Sequence, residues 1–453
     1  MAKFDFSKRD GFGSQIGVIA AAAGSAVGLG NIWRFPYITG ENGGAAFLLV
    51  YFIFVLSIGI PVMLSEFVIG RNTQRNPFGA FRSLAPRRPW YLVGIMGIAA
   101  AFMILAFYST VAGWTLEYIA KSLSNSFAGR SGNELDVLFF DFQNHRFMPV
   151  LWQLVFMFLT AFIVFRGIHG GIEKYTKILM PLLFVLIIII CIKSISLPGA
   201  SKGLMFFFYP DFSKINAETI LVALGQAFFS LSIGMGTLIT YGSYIKKKEN
   251  LTNIAFAVSI ADILIALLAG VVIFPAVFAF GIEPEAGPSL VFITLPNIFQ
   301  SMVGGYYWSL IFFVLLAIAA LTSTISVLEV VVAFFSEELS ISRKLATLIS
   351  ASAISVLGIF CTLSLREGSS AILWGKNMFS HLEYISANVL LPLGGLMIVL
   401  FVGWFMGKQK VKHELSSGNI FASPLFGIFL FIIRFIAPVA IAIVFLYSLG
   451  LIK

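Results

Sequence analysis

Residues 17–40 read GVIAAAAGSAVGLGNIWRFPYITG. The stretch is long and apolar enough to cross a bilayer, which takes about 20 such residues. Yet Gly24, Gly28 and Gly30 fall at its middle beside Ser25 and Asn31, with Arg34 and Pro36 close behind. Glycine inside a helix costs roughly 0.5–1 kcal/mol relative to alanine, and a cluster of it permits unwinding. Unwound backbone at mid-membrane is tolerated only where it is buried in protein or lines a cavity. Residues 221–244, LVALGQAFFSLSIGMGTLITYGSY, have the same character, with Ser230, Ser232, Gly234 and Gly236 at the centre. Small residues also serve close helix packing, so either stretch alone reads both ways. Together they say more, because each opens a set of five apolar runs. Interrupted helices at matching positions in two halves point to a transporter with inverted repeats and a site near the bilayer midplane.

The rest of the chain fits that reading. Of 453 residues, 59% are hydrophobic and 11% charged, against about 25% charged in soluble domains. An ordinary soluble enzyme, a disordered chain and a disulfide scaffold are excluded. Apolar runs lie near 13–38, 44–70, 90–120, 149–165, 176–195, 217–243, 252–281, 305–335, 343–363, 383–407 and 424–450. They predict an all-α membrane protein of eleven transmembrane helices, because lipid offers unpaired backbone groups no partner. The expected organisation is a single transporter domain: repeat one at about 10–195, repeat two at about 215–407, and an additional helix at about 424–450. The longest polar stretch, 125–146, reads as one loop.

The net charge of +9 comes from short basic clusters between the runs. Nineteen of the 30 Lys and Arg residues fall on the side of the N-terminus, Lys3 and Lys8 among them, and nine on the other, including Lys453. Arg34 and Arg434 lie within runs. The positive-inside rule then sets the N-terminus in the cytoplasm and the C-terminus outside the cell membrane. No cleaved signal is expected. Basic clusters so explained need no nucleic-acid partner, which would require a contiguous patch. The lipid bilayer is the required surrounding, and no obligate protein partner is inferred. Cys191 and Cys361 are too few for a disulfide framework or zinc site. The histidines 145, 169, 381 and 413 are scattered, and no nucleophile–base set can be assembled. The chain is therefore not read as an enzyme, and no organic cofactor is expected.

Opened helices have chemical consequences. Half-helix N-termini present free N–H groups to an anion. Freed carbonyls, with Asn31, Ser230, Thr322 and Ser323, are hard oxygen donors suited to an alkali cation. No carboxylate lies in residues 26–31, so a ligand that brings its own would complete the charge balance. That favours a zwitterionic amino acid over a bare amine.

Residues 24–47, GSAVGLGNIWRFPYITGENGGAAF, resemble the first-helix signature of the neurotransmitter:sodium symporters, in their bacterial amino-acid-transporting branch. The likeness continues through GRNTQRNPFGAF, FFSLSIGMGTLITYGSY, FITLP and ALTSTISVLEVVVAF, spanning about residues 9–404. Family members often have twelve spans, so eleven is a departure, but one that lies outside the five-plus-five core. The resemblance implies sodium-coupled symport of hydrophobic L-amino acids into the cell by alternating access, independent of chloride. An amino-acid exchanger or proton-coupled carrier of the same architecture is the alternative.

By the same resemblance, two sodium ions bind. The first would use the Ala26 carbonyl, Asn31, Ser230 and the substrate carboxylate. The second would use carbonyls of Gly24, Val27 and Ala319 with the hydroxyls of Thr322 and Ser323. The substrate carboxylate would rest on amides near Leu29 and Gly30 and on Tyr108, and its ammonium on carbonyls around Phe229 and Ser232. Phe229, Ser232, Met235 and Val327 would surround the substrate side chain, with Ala26, Ser230 and Ser323 also at the site. Gly28 stands where monoamine-carrying relatives place an Asp. An outer gate would pair Arg34 with Glu383 under a lid of Tyr108 and Phe229, and an inner gate Arg9 with Glu337, braced by Tyr244.

Ionisable residues within spans are costly and functional by default. Asp262 is the candidate fixed negative charge that would replace chloride near the first sodium site; the bland alternative is a structural hydrogen bond. Glu66 reads as a brace or a proton-linked group, Glu329 has no assignment, and Arg434 pairs or snorkels. Gly171 and Pro181 bracket a possible hinge at the start of the fifth run, although an ordinary helix start would look the same.

Overall fold

The computed structural model describes residues 9–281, 291–369, 372–373, 376–416 and 423–452. Lys3, Lys8 and Lys453, counted above for orientation, lie outside the described residues. Nine continuous helices there are long and apolar enough to cross a membrane. They are Ala45–Thr73, Tyr91–Leu123, Met148–Phe165, Ile168–Ile195, Leu251–Ala279, Gly305–Glu338, Arg343–Ser364, Met378–Phe405 and Leu425–Ser448. The first span is a pair, Gln15–Ala26 and Gly30–Glu41, bent by 48°. The sixth is Ala217–Ser230 followed, after residues 231–236, by Thr237–Ser243. Every apolar run reappears, and the two glycine-rich ones are the two that break.

The breaks have local causes. The Ser14 side chain accepts from the Gly17 amide and starts the first helix, which ends where Val27 leaves helical geometry at φ −80°, ψ 85°. In the sixth span Ser232, Gly234 and Gly236 take positive φ of 55°, 87° and 77°. A Cβ on Gly234 would also lie 2.4 Å from the Leu391 carbonyl oxygen. Glycine is thus required there twice, by its dihedral and by the closeness of the tenth span.

The third and eighth spans, Tyr91–Leu123 and Gly305–Glu338, are the most enclosed, with 67% and 72% of their apolar windows buried. They form the centre on which the broken spans lean. The fourth, fifth and last spans are the least enclosed, at 39%, 33% and 39%.

Two details refine the sequence reading. The fifth span begins at Ile168, earlier than 176, and opens with wide i→i+5 turns over Ile168–Glu173. A Cβ on Gly171 would come 2.2 Å from the Ile163 carbonyl oxygen, so this glycine allows close approach of the fourth span. Pro181 sits inside the unbroken helix Lys174–Ile195. The polar stretch 125–146 contains a helix, Gly132–Asn144, started by a capping box in which Ser131 and Glu134 satisfy each other's backbone amides.

Candidate functional site

A narrow cavity lies at the level of both breaks. Its polar wall is formed by Ser25, Ala26, Gly28, Gly30, Tyr108, Ser230, Ser232 and Ser323. Ile104, Leu105, Phe229, Met235 and Val327 form the apolar wall. Of the residues expected around a substrate, Leu29 alone is not in this lining; its amide instead donates to the Tyr108 hydroxyl at 2.8 Å. Ser25, Ile104 and Leu105 were not anticipated. A Cβ on Gly28 would lie 2.9 Å from the Tyr108 hydroxyl and 3.1 Å from the Ser323 hydroxyl. Any side chain at position 28 would therefore compete for the cavity itself.

Below this wall, Asp262 is fully buried and accepts from three side chains: Ser230 at 2.5 Å, Tyr51 at 2.6 Å and Asn31 at 2.7 Å. Charge-assisted bonds of this kind offset much of the cost of removing a carboxylate from water. They also orient the Asn31 amide, so that its nitrogen faces Asp262 and its oxygen faces away. That oxygen is buried and has no hydrogen-bond partner among the described residues. A buried, unpaired amide oxygen costs free energy unless a cation or donor meets it. The geometry thus supplies a hard donor held next to a fixed carboxylate, one residue along from Gly30 in the cavity wall.

The first and eighth spans meet nearby. A Cβ on Gly24 would touch the Thr322 Cβ at 3.0 Å. The Thr322 hydroxyl donates to the Ala319 carbonyl at 3.0 Å, and the Ser323 and Ser232 hydroxyls reach the Ser25 carbonyl at 3.4 and 2.9 Å. Gly24, Ala319 and Thr322 are thus in one contact chain, and Ser323 reaches the residue after Gly24. Among the described residues, no group of three His, Cys, Asp or Glu side chains is arranged to hold a metal ion. The oxygens available here are neutral, apart from Asp262. Glu66 is also fully buried; its Oε1 accepts from the Gly234 amide at 2.7 Å, bracing the opened sixth span.

The two ends differ. At one, Arg9 pairs with Glu337 at 2.5 Å, lies 4.3 Å from the centroid of the Tyr244 ring and donates to the Ser243 carbonyl. The Tyr244 hydroxyl donates to Glu329 at 2.6 Å, and Glu329 pairs with Arg343 at 2.5 Å. Tyr244 thus joins two ion pairs, which gives Glu329 the position that its sequence withheld. At the other end Arg34 lies 4.5 Å from the centroid of the Phe229 ring, and no ion pair within 4.0 Å joins it to Glu383 among the described residues. Glu383 is exposed on the first turns of the tenth span. A cavity of about 370 Å³ opens beside Arg34 and Phe229, between the first, sixth, tenth and last spans. The expected Arg34–Glu383 pair is thus not formed in this structure, because the guanidinium sits over the ring instead.

This arrangement has relatives. The sodium:neurotransmitter symporter family model matches residues 9–136 and 134–453. The chain belongs to the sodium:neurotransmitter symporter family. It is 40% identical to the uncharacterized sodium-dependent transporter YhdH of Bacillus subtilis, over 97% of this chain and 98% of that protein. It is 38% identical to an uncharacterized sodium-dependent transporter of Haemophilus influenzae, over 98% of each. The crystal structure of MhsT in complex with L-phenylalanine superposes with a TM-score of 0.89 at 46% identity, over 97% of this chain and 100% of that one. This symporter is accordingly a multi-pass membrane protein and a sodium-dependent transporter rather than an enzyme. Its fold is the family's all-α architecture with the first and sixth helices broken.

Proposed function

We propose that this symporter carries hydrophobic L-amino acids into the cell, driven by two sodium ions and independent of chloride. The observation that carries the reading is the unpaired Asn31 oxygen beside the buried Asp262 carboxylate. A cation there meets a permanent counter-charge, so a dissolved anion is not needed. Ala26, Asn31, Ser230 and the substrate carboxylate form the first sodium site in this reading, and Gly24, Val27, Ala319, Thr322 and Ser323 the second. The substrate carboxylate lies against the amides of Leu29 and Gly30 and the Tyr108 hydroxyl, and its ammonium against carbonyls near Phe229 and Ser232. Ile104, Leu105, Phe229, Met235 and Val327 then enclose an apolar side chain; the L-phenylalanine bound by MhsT supports that substrate class.

The repeats run from about 10 to 195 and from 215 to 407, with the last helix outside them. The Arg9 end faces the cytoplasm, which makes the N-terminus internal and the C-terminus external. Arg9–Glu337 with Tyr244 then closes the inner gate, while Arg34 and Glu383 come together when the outer one shuts. Gly171 and Pro181 delimit the segment of the fifth span that opens toward the inside.

Proteoliposome uptake of radiolabelled leucine and tryptophan tests the reading. The expected result is accumulation under an inward sodium gradient, unchanged without chloride, and lost in Asn31→Ala and Thr322→Ala. Equal uptake without sodium would favour an exchanger or proton-coupled carrier, for which Glu66, whose buried Oε2 has no hydrogen-bond partner among the described residues, is the proton-linked candidate.

A further inference from the structure

The last two spans carry a cation that the transport site does not use. Wide turns at Phe401–Phe405 in the tenth span face wide turns at Ile432–Ile436 in the last one. Such turns free backbone carbonyls and recur at functional sites. Arg434 Nε donates to the Gly403 carbonyl at 2.6 Å, and its guanidinium lies 5.2 Å from the Trp404 ring centroid. A Cβ on Gly403 would come 3.2 Å from Arg434 Cγ, so the glycine makes room for the arginine. Among the described residues, Arg434 forms no ion pair.

The depth of this group is readable. Trp404 stands one helical turn before Lys408, where the extramembrane helix Lys408–Ser416 begins after Gly407 turns the chain at φ 90°. At a 1.5 Å rise per residue, the tryptophan is about 6 Å below that boundary, the level at which membrane tryptophans gather. Trp404 is 58% exposed, and the exposed Phe435 and Phe431 continue the same edge. Above it, Lys408, Lys410 and Lys412 are exposed. From residue 384 onward the sequence holds a single acid, Glu414. Glu414 is committed elsewhere, accepting from Arg71, Asn72 and Lys247.

We propose that this edge binds the headgroup phosphate of an anionic phospholipid. A guanidinium with free N–H groups matches phosphate oxygens in geometry as well as charge. Lys408 supplements it from the boundary, Trp404 packs at the glycerol level, and an acyl chain follows Phe435 and Phe431. A second copy of this chain is a poorer occupant, because a two-fold contact would bring the same uncompensated cations together.

Native mass spectrometry and thermal unfolding in nanodiscs, made with phosphatidylcholine alone or with added phosphatidylglycerol, test this. The expected result is retention of phosphatidylglycerol and a higher Tm in its presence. Arg434→Gln should reduce retention about tenfold, the size expected for losing one bidentate charged contact, and abolish the lipid-dependent rise in Tm. Arg434→Lys should keep part of both. Phosphatidylglycerol dependence unchanged in Arg434→Gln, or an equal loss of Tm in both lipids, would overturn the proposal and leave the arginine a brace for Gly403. Should Arg434→Gln fail to fold, Trp404→Ala and the exposed pair Lys408→Gln/Lys410→Gln decide it: full lipid dependence in both overturns the site. A dimer that forms regardless of lipid would likewise overturn it, in favour of self-association.

Discussion

At the Arg9 end of the molecule, two buried carboxylates each hold an arginine at 2.5 Å and share one tyrosine. At the Arg34 end, an arginine rests on an aromatic ring, its expected acid stands apart, and a cavity of about 370 Å³ opens alongside. One end is held by interlocking charge pairs, while at the other a cation lies on a ring. The difference teaches how such a carrier can expose one site to two sides. If the two ends are the gates proposed above, each is made of side-chain contacts, so opening one end would cost local contacts and not the fold.

The largest test is to break the Arg9 end. Glu337 also accepts from the Asn76 amide and side chain, at 2.8 and 2.9 Å. Glu337→Ala would leave Arg9 buried without its partner, a loss of about 3–5 kcal/mol. A cysteine placed at the fully buried Ala22, in a background lacking Cys191 and Cys361, should then react at least about 100-fold faster with a thiol reagent applied from that side. Unchanged reactivity would mean that other contacts keep this end closed. Tyr244→Phe is a milder cut, removing one hydrogen bond to Glu329 while leaving Arg343 in place. It should cost about 1 kcal/mol and raise the same labelling rate about fivefold. An effect as large as that of Glu337→Ala would show that the two ion pairs act as one unit. The smallest effect belongs at the other end. Glu383→Gln should change thermal stability by less than about 0.5 kcal/mol while slowing sodium-driven uptake. A large loss of stability would mean that the acid already holds the resting state together.

Much of this was legible in the sequence, and for identifiable reasons. Glycine clusters predict helix breaks because the cost is local, and both breaks occur there. The approach of Arg9 to Glu337 was implied by the family resemblance. Ion pairs that depend on tertiary routing were not visible. Glu329 meets Arg343 only because the chain turns back after the eighth span, and Arg71 meets Glu414 across 343 positions. Ile104 and Leu105 went unnoticed because apolar residues in an apolar span carry no mark of which face they present. Tyr51 was silent for the same reason, until the fold set it against Asp262.

The bond network around Asp262 has an electrical side. If it is the counter-charge of the first ion site, that charge is part of the protein and cannot leave with the cargo. Over a full cycle it returns to its starting position and contributes nothing to net charge transfer. A zwitterionic amino acid contributes nothing either, so each sodium ion that crosses is an uncompensated positive charge. A potential of 100 mV then supplies about 2.3 kcal/mol per ion, more than the roughly 1.4 kcal/mol of a tenfold concentration gradient. The carrier would work as a current source, drawing on membrane voltage as much as on salt.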